Sequence, residues 1–128
     1  MKDTSTATLP TFQQMLVLAF EVVGDHLAML DRIRIEDKDF PSEDAYVEYG
    51  VQLATLHLTN MRAKHYANRA DFDEDWFMAL APLELGLKAV SRPDSYYGRT
   101  LKATCLVMDR LVTLVEFASD HPEKKQQI

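Results

Sequence analysis

The chain reads as an all-α protein, an antiparallel up-down-up-down four-helix bundle. Three observations predict this. Four long stretches repeat apolar residues three and four apart, the spacing of one helical face. Three short polar breaks, at 36–42, 70–75 and 91–95, separate them, and short connections make neighbouring helices antiparallel. No alternating run is long enough to compete as a strand. A chain of 128 residues fits one domain, here 11–120, with a disordered tail at 1–10 and a flexible one at 121–128. That length buries roughly two thirds of the unfolded surface without help from a metal or disulfide.

Helix 1 is expected from Thr11 to Ile35, with Pro10 at its start. Its seam is Phe12, Leu16, Ala19, Val23, His26, Leu30 and Ile33, widened by Met15, Leu18, Val22 and Met29. Gln14, Glu21, Asp25, Ala28 and Arg32 leave only a narrow polar stripe. Val17, Phe20 and Leu27 lie partly outside both apolar rows. A corner helix should show a wider polar side, so either helix 1 is central or these three are covered, by a second copy in a homodimer as the favoured case or by a different protein.

Helix 2 is expected over 42–68, capped by Asp39 or Ser42 with Pro41 at its start. Its assigned seam is Tyr46, Tyr49, Leu53, Leu56, Asn60, Ala63 and Ala67. Val47, Val51, Ala54, Leu58 and Met61 flank it. Asn60 is the polar seam residue that would set register. Helix 3, capped by Asp71 or Asp73, carries Trp76, Leu80, Leu83, Leu87 and Val90 on one stripe. Pro82 removes one backbone hydrogen bond and is expected to kink or divide it. Ala79, Pro82 and Gly86 form a row that permits close approach of a neighbour. Helix 4, capped by Asp94, runs from Ser95 to Ser119 on a seam of Leu101, Cys105, Met108, Val112 and Val115, and His121-Pro122 stops it.

Net charge is −6, which repels phosphate and argues against nucleic acid. The basic residues are dispersed across helix ends and form no stripe. No run spans a membrane. Cys105 is the only cysteine, a lone thiol that fits a reducing cytosol, and no secretory signal is visible. A cytoplasmic protein is expected. Acid clusters before helix starts and base near helix ends, as cap and macrodipole complementarity predict. The acidic loop 36–48 shares an end of the bundle with Arg92, Arg99 and Lys102, which can neutralise it. Left exposed, it would steer a basic partner.

Phosphate-binding glycine loops, CxxC, HExxH and ExxH are all absent from the sequence, and no cofactor is implied. Glu21, His57 and Glu84 fall at about one level on three adjacent helices and are the candidate metal or proton-transfer set. The simpler reading puts Glu21 and Glu84 in water. His26 on the seam reads first as a satisfied core residue, and Cys105 as a small core residue. Tyr46, Tyr49, Tyr96 and Tyr97, with Phe40, gather near one end beside Arg92 and Arg99. They either close the core or present a partner surface. The expected function is protein–protein binding, as an adaptor, regulator, inhibitor or chaperone-like protein. The alternative is a small-molecule or metal-binding bundle, possibly enzymatic, with its site near His57 and the Pro82 kink.

Overall fold

A computed structural model describes residues 10–126, with side chains described up to Ala118. Among the described residues four α-helices pack as an antiparallel bundle, and none is a strand. They are α1 (Phe12–Glu36), α2 (Ala45–Arg62), α3 (Arg69–Ala89) and α4 (Tyr96–Gln126), with a 3-10 turn at Ser42–Asp44 before α2. Each helix packs against its two sequence or cyclic neighbours: α1 lies between α4 and α2, and α3 between α2 and α4. Thus α1 and α3 stand on one diagonal, α2 and α4 on the other. The tail expected at 1–10 falls almost wholly outside the described residues, and α4 continues past the stop expected at His121-Pro122.

Thr11 stands at the start of α1 as expected, and the starts of α2, α3 and α4 do not use the caps expected of them. Thr11 caps α1: its hydroxyl accepts from the Gln14 N–H while the Gln14 side chain accepts from the Thr11 N–H. Asn68, not Asp71 or Asp73, caps α3 by accepting from the Asp71 N–H. Ser95, not Asp94, caps α4 by accepting from the Gly98 N–H. Asp44 precedes α2 without capping it. Its buried carboxylate instead accepts from the Ser91 N–H and hydroxyl, both at 2.9 Å, and so clasps the α3–α4 turn to the start of α2.

The core matches the α4 seam throughout and the α1 and α3 seams except at Phe12, His26 and Leu87, which are half-buried, and it corrects that of α2. In α4, Leu101, Cys105, Met108, Val112 and Val115 are all buried, as are Trp76, Leu80, Leu83 and Val90 of α3 and its end. In α2 the buried row is Val47, Gly50, Val51, Ala54, Leu58 and Met61. The assigned seam, from Tyr46 through Asn60, faces outward. Small residues decide this phase. A Cβ on Gly50 would stand 3.0 Å from the Pro82 carbonyl oxygen, so α3 comes closer to this side of α2 than a larger residue would allow. Gly86 likewise meets Val47. The close approach expected of Pro82 and Gly86 is therefore present. The kink or division expected at Pro82 is not borne out: α3 runs through it as one helix.

Helix 2 ends at Arg62 and not at 68. The turn that follows drops Tyr66 into the core, where it meets Phe72 edge-on. Phe72 also packs against Phe12, Phe20 and Trp76, with ring centroids 5.1–6.3 Å away. Trp76, fully buried, donates its indole N–H to the Met108 carbonyl at 2.9 Å. Phe20 and Leu27 are only 7% and 3% exposed in the single chain. The expectation that they meet a second copy is thereby corrected: they fill the core, and of that trio only Val17 is on the surface.

Candidate functional site

The exposed row of α2 and one row of α3 together build an open apolar groove. Residues spaced three and four apart share a helical face. On α2 that spacing gives Tyr46, Tyr49, Leu53, Leu56 and Asn60; on α3 it gives Met78, Ala81, Pro82 and Leu85. Leu53, Leu56, His57, Asn60, Met78, Ala81, Pro82 and Leu85 line a groove of about 380 Å³. Leu53 is 41% exposed, and Leu56, Met78 and Leu85 are more than half exposed. Tyr46 and Tyr49, also exposed, extend the row toward the start of α2. No charged side chain interrupts the α2 row from Tyr46 to Asn60.

Polar groups gather at the other end. The His57 Nε2 lies 3.0 Å from the Asp75 carbonyl oxygen. A carbonyl only accepts, so Nε2 carries the proton and a neutral ring keeps Nδ1 as its acceptor. The Asp75 carboxylate accepts from Lys64 Nζ at 2.8 Å and from the Tyr66 hydroxyl at 2.6 Å. The lysine bond first, then the tyrosine bond, holds the Asp75 carboxyl below its ordinary range. Burial first, then Asp75, pushes the Tyr66 hydroxyl well up. This network pins the α2–α3 turn and with it the lower edge of the groove. Pro82 supplies no N–H for the Met78 carbonyl, which is left for another donor.

The sequence-nominated residues scatter. Tyr46 and Tyr49 are exposed on the α2 row that leads into the groove but do not line it. Tyr96 is exposed on α4, the diagonal helix, with its hydroxyl 3.9 Å from Met29 Sδ. Tyr97 is buried, edge-on to Phe40 at 5.0 Å, so it is corrected from partner surface to core. Arg92 lies 3.7 Å from Asp37 and donates to the Asp39 carbonyl, so it offsets one charge of the acidic loop. Arg99 is exposed and lines a second groove of about 430 Å³ between α1 and α4, with Asp25, His26, Met29, Tyr96, Thr100 and Ala103. His26 is half-buried there and donates Nδ1–H to the Val22 carbonyl at 2.9 Å.

Glu21, His57 and Glu84 do not converge. Glu21 borders an open recess that Gly24 and Arg62 also line. Glu84 influences Cys105 on α4, while His57 is tied to Asp75. Among the described residues no group of three histidine, cysteine or acidic side chains is placed to hold a metal. Burial first, and Glu84 second, pushes the Cys105 thiol up to about 11, which keeps it protonated and unreactive. No helix among the described residues is long and apolar enough to cross a membrane. Missed from sequence were the groove row of α3 and the Asp44–Ser91 clasp. The i, i+4, i+7 spacing of Met78, Pro82 and Leu85 was the available signal for the first.

No protein family, curated protein or solved structure matches this chain.

Proposed function

We propose that the protein acts by binding another protein, and that the α2–α3 groove receives an amphipathic helix of that partner. One observation carries this: a charge-free apolar row on α2 runs beside an apolar row on α3, both exposed. Two antiparallel helices leave a straight channel between them, which matches a third helix laid lengthwise with anchors at i, i+3 or i+4, and i+7. The two exposed tyrosines at one end are of the residue type that dominates binding energy at interfaces.

Charge specifies the partner further. Glu43 and Glu74 are exposed and neighbour the groove row in sequence. Lys64 is engaged by Asp75 and Arg62 reaches toward Gly24 of α1, leaving Lys88 as the basic residue nearby. An acidic rim favours a helix with basic flanks around its apolar stripe.

A photo-crosslinker at position 56 tests the reading in native extract. The captured segment is then synthesised and titrated against the wild type and Leu56→Glu. The expected outcome is a peptide that gains helix on binding and binds the variant about tenfold or more weakly. Binding without helix formation, equal binding to the variant, or capture only of a second copy of this chain would each overturn it.

A second reading is favoured by one feature, the His57 Nδ1 acceptor in a groove of this volume: a small apolar ligand with one donor. Such a ligand would be lost on His57→Ala and indifferent to Tyr46→Ala.

A further inference from the structure

The α1–α4 face lies on the side of the bundle opposite the α2–α3 groove, and its chemistry is self-complementary. On α1, Leu18, Glu21, Asp25, Met29 and Arg32 recur three and four apart, so they form one stripe. On α4 the corresponding stripe is Tyr96, Arg99, Ala103, Leu106, Arg110 and Leu114. Leu18, Tyr96, Leu106 and Leu114 are exposed, and Val22, Met29 and Val107 are half-buried between the helices. The face thus has an apolar centre.

Its charges are divided by helix. Glu21 and Asp25 edge the α1 side, Arg99 and Arg110 the α4 side. The signs reverse at the upper end, where Arg32 is on α1 and Asp94 precedes α4. Among the described residues, Asp25, Arg32, Asp94 and Arg99 are exposed and make no ion pair within the chain. Heights along the bundle match. Asp25 and Arg99 line the same groove. Arg32 falls between Met29 and Asp37, which lie against Tyr96 and Arg92; Asp94 falls between those two.

We infer that this face binds a second copy of the chain through a twofold axis parallel to the helices. That axis sets α1 of one copy over α4 of the other without changing height. Asp25 then meets Arg99 of the second copy and Arg32 meets its Asp94. Symmetry makes each pair twice, so four ion pairs flank the apolar centre. The area suffices. A 25-residue α1 is about 37 Å long, and two packed helices present a face about 20 Å wide, hence roughly 700 Å² per copy, near the ~800 Å² of a standard interface.

The test is sedimentation equilibrium of the full chain, whose monomer mass is 14.6 kDa. The wild type is expected at twice that mass. Arg99→Asp alone and Asp25→Arg alone, both at exposed positions, are expected to weaken the dimer about tenfold or more, because each sets like charges together twice. Combining the two swaps the signs and should restore affinity to within about threefold of the wild type. Leu18→Glu should dissociate the dimer, while Leu56→Glu on the opposite face should leave it intact. A monomeric wild type, a dimer indifferent to both reversals, a double variant as weak as the singles, or dissociation by Leu56→Glu would overturn the assignment. The inference does not rest on the partner helix, and either can fail alone.

Discussion

Tyr97 shows how much one hydroxyl can decide. Its ring fills the core beside Phe40, and among the described residues its hydroxyl has no hydrogen-bond partner. Burial first, then the nearby Glu48 against an opposing Arg34, with Asp44 and Asp31, pushes its pKa up from 10.0 to about 12. A raised folded value favours the neutral phenol. Its contribution to stability is therefore complete below pH 10 and fades as pH rises through 12. Tyr97→Phe should leave neutral-pH stability unchanged or raise it by up to about 1 kcal/mol, and should shrink the alkaline loss, as urea unfolding at neutral pH and at about pH 11 would show. Asp44 is the contrary case. Asp44→Ala strands the Ser91 N–H and hydroxyl and should cost about 1–3 kcal/mol in the same measurement. Neither residue's role was legible in the sequence. Consecutive helical residues point about 100° apart, so Tyr96 and Tyr97 could never share one surface, but nothing in their order says which turns inward.

Elements were legible where one apolar row stands alone. The seam of α4 faces a mixed row and the structure buries it, whereas in α3 the row holding Trp76 goes inside and a second apolar row, Met78–Ala81–Pro82–Leu85, is left outside. In α2 two rows compete, Tyr46–Tyr49–Leu53–Leu56 and Val47–Val51–Ala54–Leu58. Area alone favours the larger side chains. The smaller row wins because Gly50 and Gly86 let the α2 and α3 backbones close up, and a shallow row of Val and Ala fits that spacing. The outer row left over is the groove itself, so the misassigned phase and the unforeseen site share one cause. The end of α2 was likewise hidden: no glycine or proline marks residue 62, and the stop depends on Tyr66 finding Phe72. Tight turns leave their own mark. A Cβ on Gly98 would stand 2.5 Å from the Pro93 carbonyl oxygen and 2.6 Å from that of Arg92, both backbone atoms. Gly98→Ala should therefore destabilise by about 1–3 kcal/mol despite alanine's better helix propensity, and a lowered urea midpoint would report it.

At the scale of the whole molecule, the two apolar grooves lie on opposite sides because α2–α3 and α4–α1 are opposite sides of one four-cornered bundle. The body between them is roughly 20 Å thick. That geometry governs stoichiometry whatever the occupants are. A rigid body resting on one side cannot reach the other, so the two are filled without mutual exclusion. Joined back to back, two copies would aim their outer channels in opposed directions. A ligand carrying two helices on a short tether could not curl around to occupy both; it would bridge separate molecules and grow an open network in place of a closed, avid pair.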